Sequence, residues 1–249
     1  MILGIDTATS TASVALVENG QLVGEQRDTQ PARATAPAGS TPKGNHAEVI
    51  LPLIQLILKQ AETSIDTLSG IAVSIGPGSF TGLRIGLATA KGIAYECDLP
   101  IVGVSTLHAN AARVTQFDGI ICSLLDARKS EVYGALFHCH GSQLVRLTND
   151  ALTSIDKALN HVREQDGVGG GLSLFIGDGA KAYEKIIERE FGVAAAIFSD
   201  SDGSVAAQVA RLAESRFHVR LSDDIGALRP VYLRPSEAET KFGKTHLTC

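Results

Sequence analysis

Two turns carry a carboxylate and hydroxyl groups directly after an apolar run, a combination that can hold a phosphate group. Asp6-Thr7-Ala8-Thr9-Ser10 follows residues 2–5, and Asp126-Ala127-Arg128-Lys129-Ser130 follows residues 120–125. Neither turn contains glycine, the residue that lets backbone N–H groups approach phosphate oxygens most closely. A third turn, Gly177-Asp178-Gly179, has glycines but places an acid between them. These turns fit either an eroded phosphate site or tight turns of a scaffold.

Metal ligation and nucleophilic catalysis have weaker support. His138 and His140 flank Cys139 on one face of a predicted strand, which is more typical of a hairpin edge than of a metal site. A catalytic nucleophile needs a base and an orienting group within hydrogen-bond reach. The serine, histidine and aspartate residues form no recognisable local motif of this kind. We therefore expect no metal ion, no cofactor and no catalytic residue.

One strand–turn–helix segment organises the elements around these turns. Residues 71–75 form an apolar run typical of a buried strand, which Gly76-Pro77-Gly78 ends. Ser79 is the predicted N-cap of a helix that continues to about Tyr95. The helix contains glycine at positions 82, 86 and 92, and each glycine destabilises a helix by roughly 0.5–1 kcal/mol relative to alanine. Something must therefore pack tightly against this helix.

This segment has two interpretations. It is either an ordinary strand–turn–helix within a core, or a site where an anion or a partner chain meets the helix. The spacing of its glycines excludes a P-loop and a GxSxG nucleophile elbow. A second helix is predicted over residues 46–60, and apolar residues occupy nearly all of its sides. Because a surface helix needs one polar face, this helix is either buried or part of an interface.

Composition places the chain among ordinary globular proteins. Its 249 residues are 44% apolar and 20% charged, and the formal net charge of −5 disfavours a large nucleic-acid surface. No apolar run reaches the roughly 18 residues that a membrane span needs, and the first residues do not resemble a signal peptide. The four cysteines lack CxxC spacing, which is typical of a reduced compartment. We expect a cytoplasmic protein with no membrane contact.

An internal repeat predicts the architecture. Residues 120–126 repeat the opening strand with its terminal aspartate, residues 131–137 repeat the second strand, and residues 141–145 resemble residues 19–23. The sequence therefore predicts an α/β fold of two similar lobes, divided into residues 1–115 and 116–235.

Two segments have a composition that disfavours packing. Residues 30–45 are rich in proline, alanine, threonine and glycine and are predicted to be a flexible insertion. Residues 236–249 are mostly polar and are predicted to be a mobile tail.

Several motifs resemble those of the TsaB (YeaZ) family. The most specific is Gly-Pro-Gly-Ser-Phe-Thr-Gly-Leu-Arg at residues 76–84, and Gly4-Ile5-Asp6-Thr7 opens the chain. Supporting matches occur at residues 125–128, 131–133 and 230–234, so the resemblance covers nearly the whole chain. It implies two tandem ribonuclease H-like lobes of the actin-like ATPase architecture, with mixed sheets flanked by helices.

The resemblance also implies that the nucleotide loops are vestigial. Active members of the superfamily have Asp-x-Gly-x-Thr/Ser in the first loop, and Ala8 stands at the glycine position. The residues left in the loops are Asp6, Thr7, Ser10, Asp126, Arg128, Gly177 and Gly179. TsaD, the catalytic relative, holds its metal with a His-x-x-x-His pair, whereas here Ile50 stands four residues after His46.

By resemblance, the chain is a non-catalytic subunit of the complex that makes threonylcarbamoyladenosine beside the tRNA anticodon. It would scaffold and activate TsaD together with the ATPase TsaE, meet tRNA only indirectly, and form a homodimer when alone. The two apolar helices would form the partner interface through His46, Val49, Ile50, Leu53, Phe80, Leu83, Gly86, Leu87 and Ala90. The alternatives are a working ATPase or kinase of the same fold and a glycoprotease-like peptidase.

Overall fold

The computed structural model describes residues 1–28, 46–114, 116–166, 172–192, 195–197 and 204–235. Its first half builds a five-stranded sheet in the order β3-β2-β1-β4-β5. The strands are β1 (Ile2–Asp6), β2 (Ser13–Glu18), β3 (Gln21–Arg27), β4 (Gly70–Gly76) and β5 (Ile101–Ser105). The first three pair antiparallel, while β4 and β5 continue the sheet in parallel with β1. The β2–β3 turn holds Asn19 and Gly20 at φ of 50° and 75°, as a two-residue hairpin requires.

Helices cover both faces of this first sheet. On one face lie α1 (His46–Gln60) and α2 (Phe80–Glu96), which pack against Leu3 and Ile5 of β1. On the other face lies α7 (Val205–His218), which packs against Ile2. Because side chains alternate along a strand, β1 contributes to both helix layers and is buried throughout.

The second half builds a six-stranded sheet whose main path is β11-β10-β6-β7-β8, with β9 pairing to β7. Its strands are β6 (Phe117–Asp126), β7 (Glu131–Gly141), β8 (Gln143–Arg146), β9 (Ala151–Ser154), β10 (Leu172–Ile176) and β11 (Ala195–Ile197). The outer helices are α4 (Ile155–Asp166), α5 (Asp178–Ala182) and α6 (Glu184–Phe191). Here β6 takes the place of β1, since it pairs antiparallel with β7 and parallel with β10.

The two sheets therefore share one topology, which confirms the predicted pair of ribonuclease H-like lobes. The short helix α3 (Thr106–Ala111) lies between them. It comes from the first half of the sequence, yet Leu107 and Ala111 pack on the second sheet. Conversely, α7 comes from the second half and packs on the first sheet. The lobes exchange helices across the division predicted near residue 115, and that division remains a prediction.

Several local features go beyond the sequence-based expectations. The two short helices α5 and α6 meet at Tyr183. The short strands β9 and β11 were not predicted. The flexible insertion at 30–45 and the mobile tail at 236–249 lie outside the described residues. Among the described helices, none is both long and apolar enough to cross a membrane.

Candidate functional site

The first phosphate-type turn lies directly beneath the N-terminus of α2. Ser79 N–H donates to the carbonyl oxygen of Ala8 at 2.8 Å, and Thr7 Oγ1 donates to the carbonyl oxygen of Gly82 at 2.7 Å. Ser79 is the N-cap of α2, as predicted, and its hydroxyl accepts from Gly82 N–H at 3.2 Å. The hydroxyl of Thr7, which could donate to a phosphate in an open turn, therefore donates to the helix instead.

The glycines of α2 explain this close approach. A Cβ atom at Gly82 would lie 1.9 Å from the carbonyl oxygen of Thr7, and one at Gly86 would lie 2.2 Å from Thr7 Oγ1. Only glycine leaves room for the turn at these positions. Gly92, in the same helix, has no neighbour within 4 Å of an added Cβ. The tight packing expected around this helix is thus supplied by residues 7 and 8 of the same chain.

Asp6, at the end of β1, turns inward. It is fully buried, and its carboxylate accepts from Thr9 Oγ1 at 2.6 Å and from Ala8 N–H at 3.2 Å. Burial raises the pKa of Asp6 above its ordinary value of 3.8, although these hydrogen bonds oppose the shift. Thr7 is also buried, whereas Ser10 is exposed. Of the predicted loop residues, only Ser10 lies open to solvent in this turn.

The second and third turns are joined to each other. Asp126 N–H donates to Asp178 Oδ1 at 2.9 Å, and Arg128 N–H donates to Asp126 Oδ1 at 2.8 Å. A Cβ at Gly177 would lie 2.1 Å from the carbonyl oxygen of Leu124, and one at Gly179 would lie 2.9 Å from the carbonyl carbons of Leu124 and Leu125. These glycines serve the packing of α5 against β6.

The first and third turns meet at a cleft between the two lobes, and of the seven predicted loop residues only Ser10 and Gly177 line it. Its walls include Thr9, Ser10 and Thr11 of the first turn, and Gly177 and Asp178 of the third. The cavity volume is about 90 Å³, whereas pockets for small-molecule ligands measure about 300–1,000 Å³. The cleft is therefore small compared with such pockets.

The structure divides the predicted partner interface into buried and accessible residues. Five of its residues are buried in the core of the chain itself: Ile50, Leu83, Gly86, Leu87 and Ala90. Residues 83, 87, 90 and 94 are buried because they recur at helical spacing and so share the face of α2 that packs on the sheet. His46, Val49, Leu53 and Phe80 are half-buried.

The opposite sides of the same two helices are exposed. We call this surface the helix face and define it as Leu51, Pro52, Leu56, Ala88, Gly92 and Tyr95. Leu51 is 50% exposed and Tyr95 is 78% exposed, which is unusual for large side chains unless a partner covers them. Residues 84, 88, 92 and 95 recur at helical spacing, so a helical projection of the sequence would have identified this face.

His108 has aromatic and basic neighbours, whereas His140 has an acidic one. The ring of His108 stacks on Phe137 with a centroid separation of 5.3 Å, and burial together with Arg146 lowers the pKa of His108. His140 Nδ1 lies 3.1 Å from Asp118 Oδ2 on an exposed hairpin. Within the described ranges, no group of three acidic, histidine or cysteine side chains could hold a metal ion.

Comparison with known proteins identifies the family. A family model described as TsaD, tRNA N6-adenosine threonylcarbamoyltransferase, matches residues 22–242. The tRNA threonylcarbamoyladenosine biosynthesis protein TsaB of Bacillus subtilis is 31% identical over 243 residues, which are 97% of this chain and 97% of that protein. The chain belongs to the TsaB family. The Escherichia coli protein of the same name is 39% identical over 136 residues, which are 54% of this chain and 53% of that protein.

A solved structure of another family member has the same fold. YeaZ from Pseudomonas aeruginosa superposes with a TM-score of 0.71 and 24% identity, over 93% of this chain and 99% of that one. The resemblance inferred from residues 76–84 is therefore confirmed for both family and fold.

Proposed function

We propose that the chain is a non-catalytic subunit of the cytoplasmic machinery that makes threonylcarbamoyladenosine in tRNA. In this role it scaffolds and activates the transferase TsaD, together with the ATPase TsaE. Its similarity to TsaB proteins over nearly its full length supports the pathway. The observation that carries the non-catalytic role is the contact of Thr7 with Gly82, because it fills the first phosphate turn with a helix of the same chain.

A working ATPase or kinase of the same fold is the less favoured alternative. A phosphate-binding turn needs free backbone N–H groups directed at the ligand, and Ala8 N–H instead donates to Asp6 Oδ1. The small volume of the cleft is a second argument against nucleotide binding. The peptidase alternative lacks a serine–histidine pair at either histidine described above.

The exposed side chains of α1 and α2 indicate which surface meets a partner. The helix face carries apolar and small side chains on two adjacent helices, which suits packing against a helix pair of TsaD or of a second copy. We therefore propose that this face, flanked by the half-buried Val49 and Leu53, forms the heterodimer and, when the chain is alone, a homodimer.

Co-purification with TsaD tests the proposal. Leu51→Glu places a charge on the exposed face of α1 and should weaken capture of TsaD at least tenfold, because an unpaired charge would be buried in the interface. Leu172→Glu on β10 is the matched control, since Leu172 is also an exposed leucine and the substitution adds the same single charge. Both variants should keep the circular dichroism spectrum of the parent chain. A folded Leu51→Glu protein that captures TsaD as well as the control does would refute the proposed surface.

A further inference from the structure

Two aromatic rings and an arginine side chain stack together near the N-terminus of α2. The rings of Phe80 and Tyr232 are 4.5 Å apart between centroids. The guanidinium of Arg84 lies 4.0 Å from the centroid of Phe80 and 5.8 Å from that of Tyr232, and its Nε donates to Tyr232 Oη at 3.0 Å. Arg84 and Tyr232 are both exposed, so this stack is available at the surface.

The segment that carries Tyr232 also reaches the β6–β7 turn. Arg234 Nη1 donates to the carbonyl oxygen of Ala127 at 2.5 Å, and Arg234 Nη2 pairs with Glu131. Residues 232 and 234 are at most about 7 Å apart along an extended chain. Arg234 therefore ties the segment that carries the aromatic pair to the turn at 127–131, although more than 90 positions separate Tyr232 from the turn in the sequence.

The turn directs two cations outward. Arg128, Lys129 and Ser130 have φ of 65°, 56° and 59°, a left-handed run that residues with a Cβ adopt only when other contacts hold it. Glu131 N–H donates to the carbonyl oxygen of Arg128 at 3.1 Å, and Arg234 fixes Ala127 from the other side. The side chain of Arg128 is 84% exposed, and Lys129 is exposed as well.

We call the groups that segment 232–234 links in this way the aromatic–basic corner and define it as Phe80, Arg84, Arg128, Lys129 and Tyr232. Among the described residues, no carboxylate lies within ion-pair distance of Arg84 or Lys129, and Arg128 meets Asp126 only at 3.5 Å. Exposed cations are thus concentrated at one place on a chain whose net charge is −5.

The chemistry of the corner matches single-stranded RNA. Flat aromatic and guanidinium faces stack on unpaired bases, and neighbouring lysine and arginine side chains pair with phosphates. A protein partner would require a more apolar centre, such as the helix face offers. We propose that the aromatic–basic corner contacts the tRNA substrate directly, at unpaired nucleotides, instead of the indirect contact that the family resemblance implied. This inference rests on the proposed function, because that function supplies the RNA.

Charge reversal tests the contact. The parent chain, the double variant Arg128→Glu/Lys129→Glu and the control Lys157→Glu/Lys185→Glu are each assembled with TsaD, and affinity for a labelled tRNA transcript is measured across a salt series. The two doubles change the charge equally, and the control lysines lie exposed on α4 and α6. We expect the corner variant to bind tRNA at least tenfold more weakly near 0.1 M salt. The slope of log K against the logarithm of the salt concentration should become shallower by about one to two. Each lost phosphate contact reduces the magnitude of this slope by about 0.7–0.9.

Two outcomes overturn the inference. One is equal tRNA affinity of the corner and control variants at every salt concentration. The other is loss of TsaD capture by the corner variant with unchanged RNA binding by the chain itself, which would make the corner a protein-docking surface. Tyr232→Leu adds an independent readout, because it removes stacking but no charge and should weaken binding several-fold without changing the salt slope.

Failure of the proposed function is distinguishable from failure of this contact. If the parent chain does not assemble with TsaD, the proposed function falls, and the same three proteins are then compared for tRNA binding alone. If the corner variant binds tRNA more weakly than the control variant does, the contact is still supported. Equal tRNA binding by the two variants would overturn it.

Discussion

Substitution of Gly82 by alanine probes the contact that closes the first phosphate turn. The added Cβ would lie 1.9 Å from the carbonyl oxygen of Thr7, 3.0 Å from its carbonyl carbon and 3.2 Å from Nδ1 of His46. Ordinary contacts begin at 3.4 Å, so α2 and the turn must separate by about 1.5 Å. Both near atoms of Thr7 belong to the backbone, and a rotamer change cannot relieve the clash.

The magnitude follows from three contributions. Overpacking against backbone belongs at the upper end of its usual range of about 1–3 kcal/mol. Separation also removes the hydrogen bond from Thr7 to Gly82, worth about 1 kcal/mol. The higher helix propensity of alanine returns about 0.5–1 kcal/mol. We therefore expect Gly82→Ala to lower the free energy of unfolding by about 3 kcal/mol.

The same helix offers a matched control. Gly92 has nothing within 4 Å of an added Cβ, so Gly92→Ala should raise the free energy of unfolding by about 0.5–1 kcal/mol through helix propensity alone. Urea unfolding followed by circular dichroism compares the two variants with the parent chain. If Gly82→Ala is as stable as Gly92→Ala, the turn and helix are not in the contact described, and the explanation for the closed phosphate turn fails.

Three further predictions concern the same region. Ala8→Gly restores the glycine of the active superfamily members but leaves α2 over the turn, so calorimetry should still detect no micromolar ATP binding; tight binding would show that Ala8 alone closes the site. Leu87→Glu places a charge in the core, where Leu87 is only 5% exposed, and should lower stability by several kcal/mol (about 3 or more); a thermal midpoint equal to that of the parent would contradict this burial. Because burial raises the pKa of Asp6 above 3.8, the folded chain retains a proton that the unfolded chain releases. The contribution of Asp6 to stability therefore falls as pH rises above that value, and Asp6→Asn should show a smaller decline than the parent between about pH 4 and 7; identical pH profiles would contradict it.

Local features were predictable because the sequence encodes them locally. The helix over residues 46–60, the N-cap at Ser79 and the repeat of β1 by β6 all agree with the structure. Each depends on apolar period, capping chemistry or turn composition within a few residues. The glycines of α2 also correctly indicated that a neighbour packs closely on this helix. They did not identify that neighbour as Thr7.

Long-range features could not be read in this way. Thr7 and Gly82 are 75 positions apart, and no sequence pattern pairs them. The exchange of α3 and α7 between the lobes depends on packing of whole layers, which composition does not encode. The residues of the aromatic–basic corner come from three distant segments and share no motif.

The division of the predicted partner interface into buried and exposed residues could not be predicted for a different reason. Both α1 and α2 are apolar on more than one side, so apolar content alone could not separate core from surface. Ile50 and Leu51 are neighbours in the sequence, yet Ile50 is 1% exposed and Leu51 is 50% exposed. Only the position of the sheet decides which side of each helix is buried.

The measurement that bears most directly on the central claim is transfer of labelled threonine to tRNA in a reconstituted system from which single proteins are omitted. TsaD, TsaE, tRNA, ATP and the threonylcarbamoyl donor are combined with and without this chain, and the chain is also assayed alone for ATP hydrolysis. We predict that labelled tRNA forms only when the chain is present with TsaD, and that the chain alone hydrolyses no ATP. Full activity without the chain, or ATP turnover by the chain alone that Asp6→Asn abolishes, would contradict a non-catalytic, activating role.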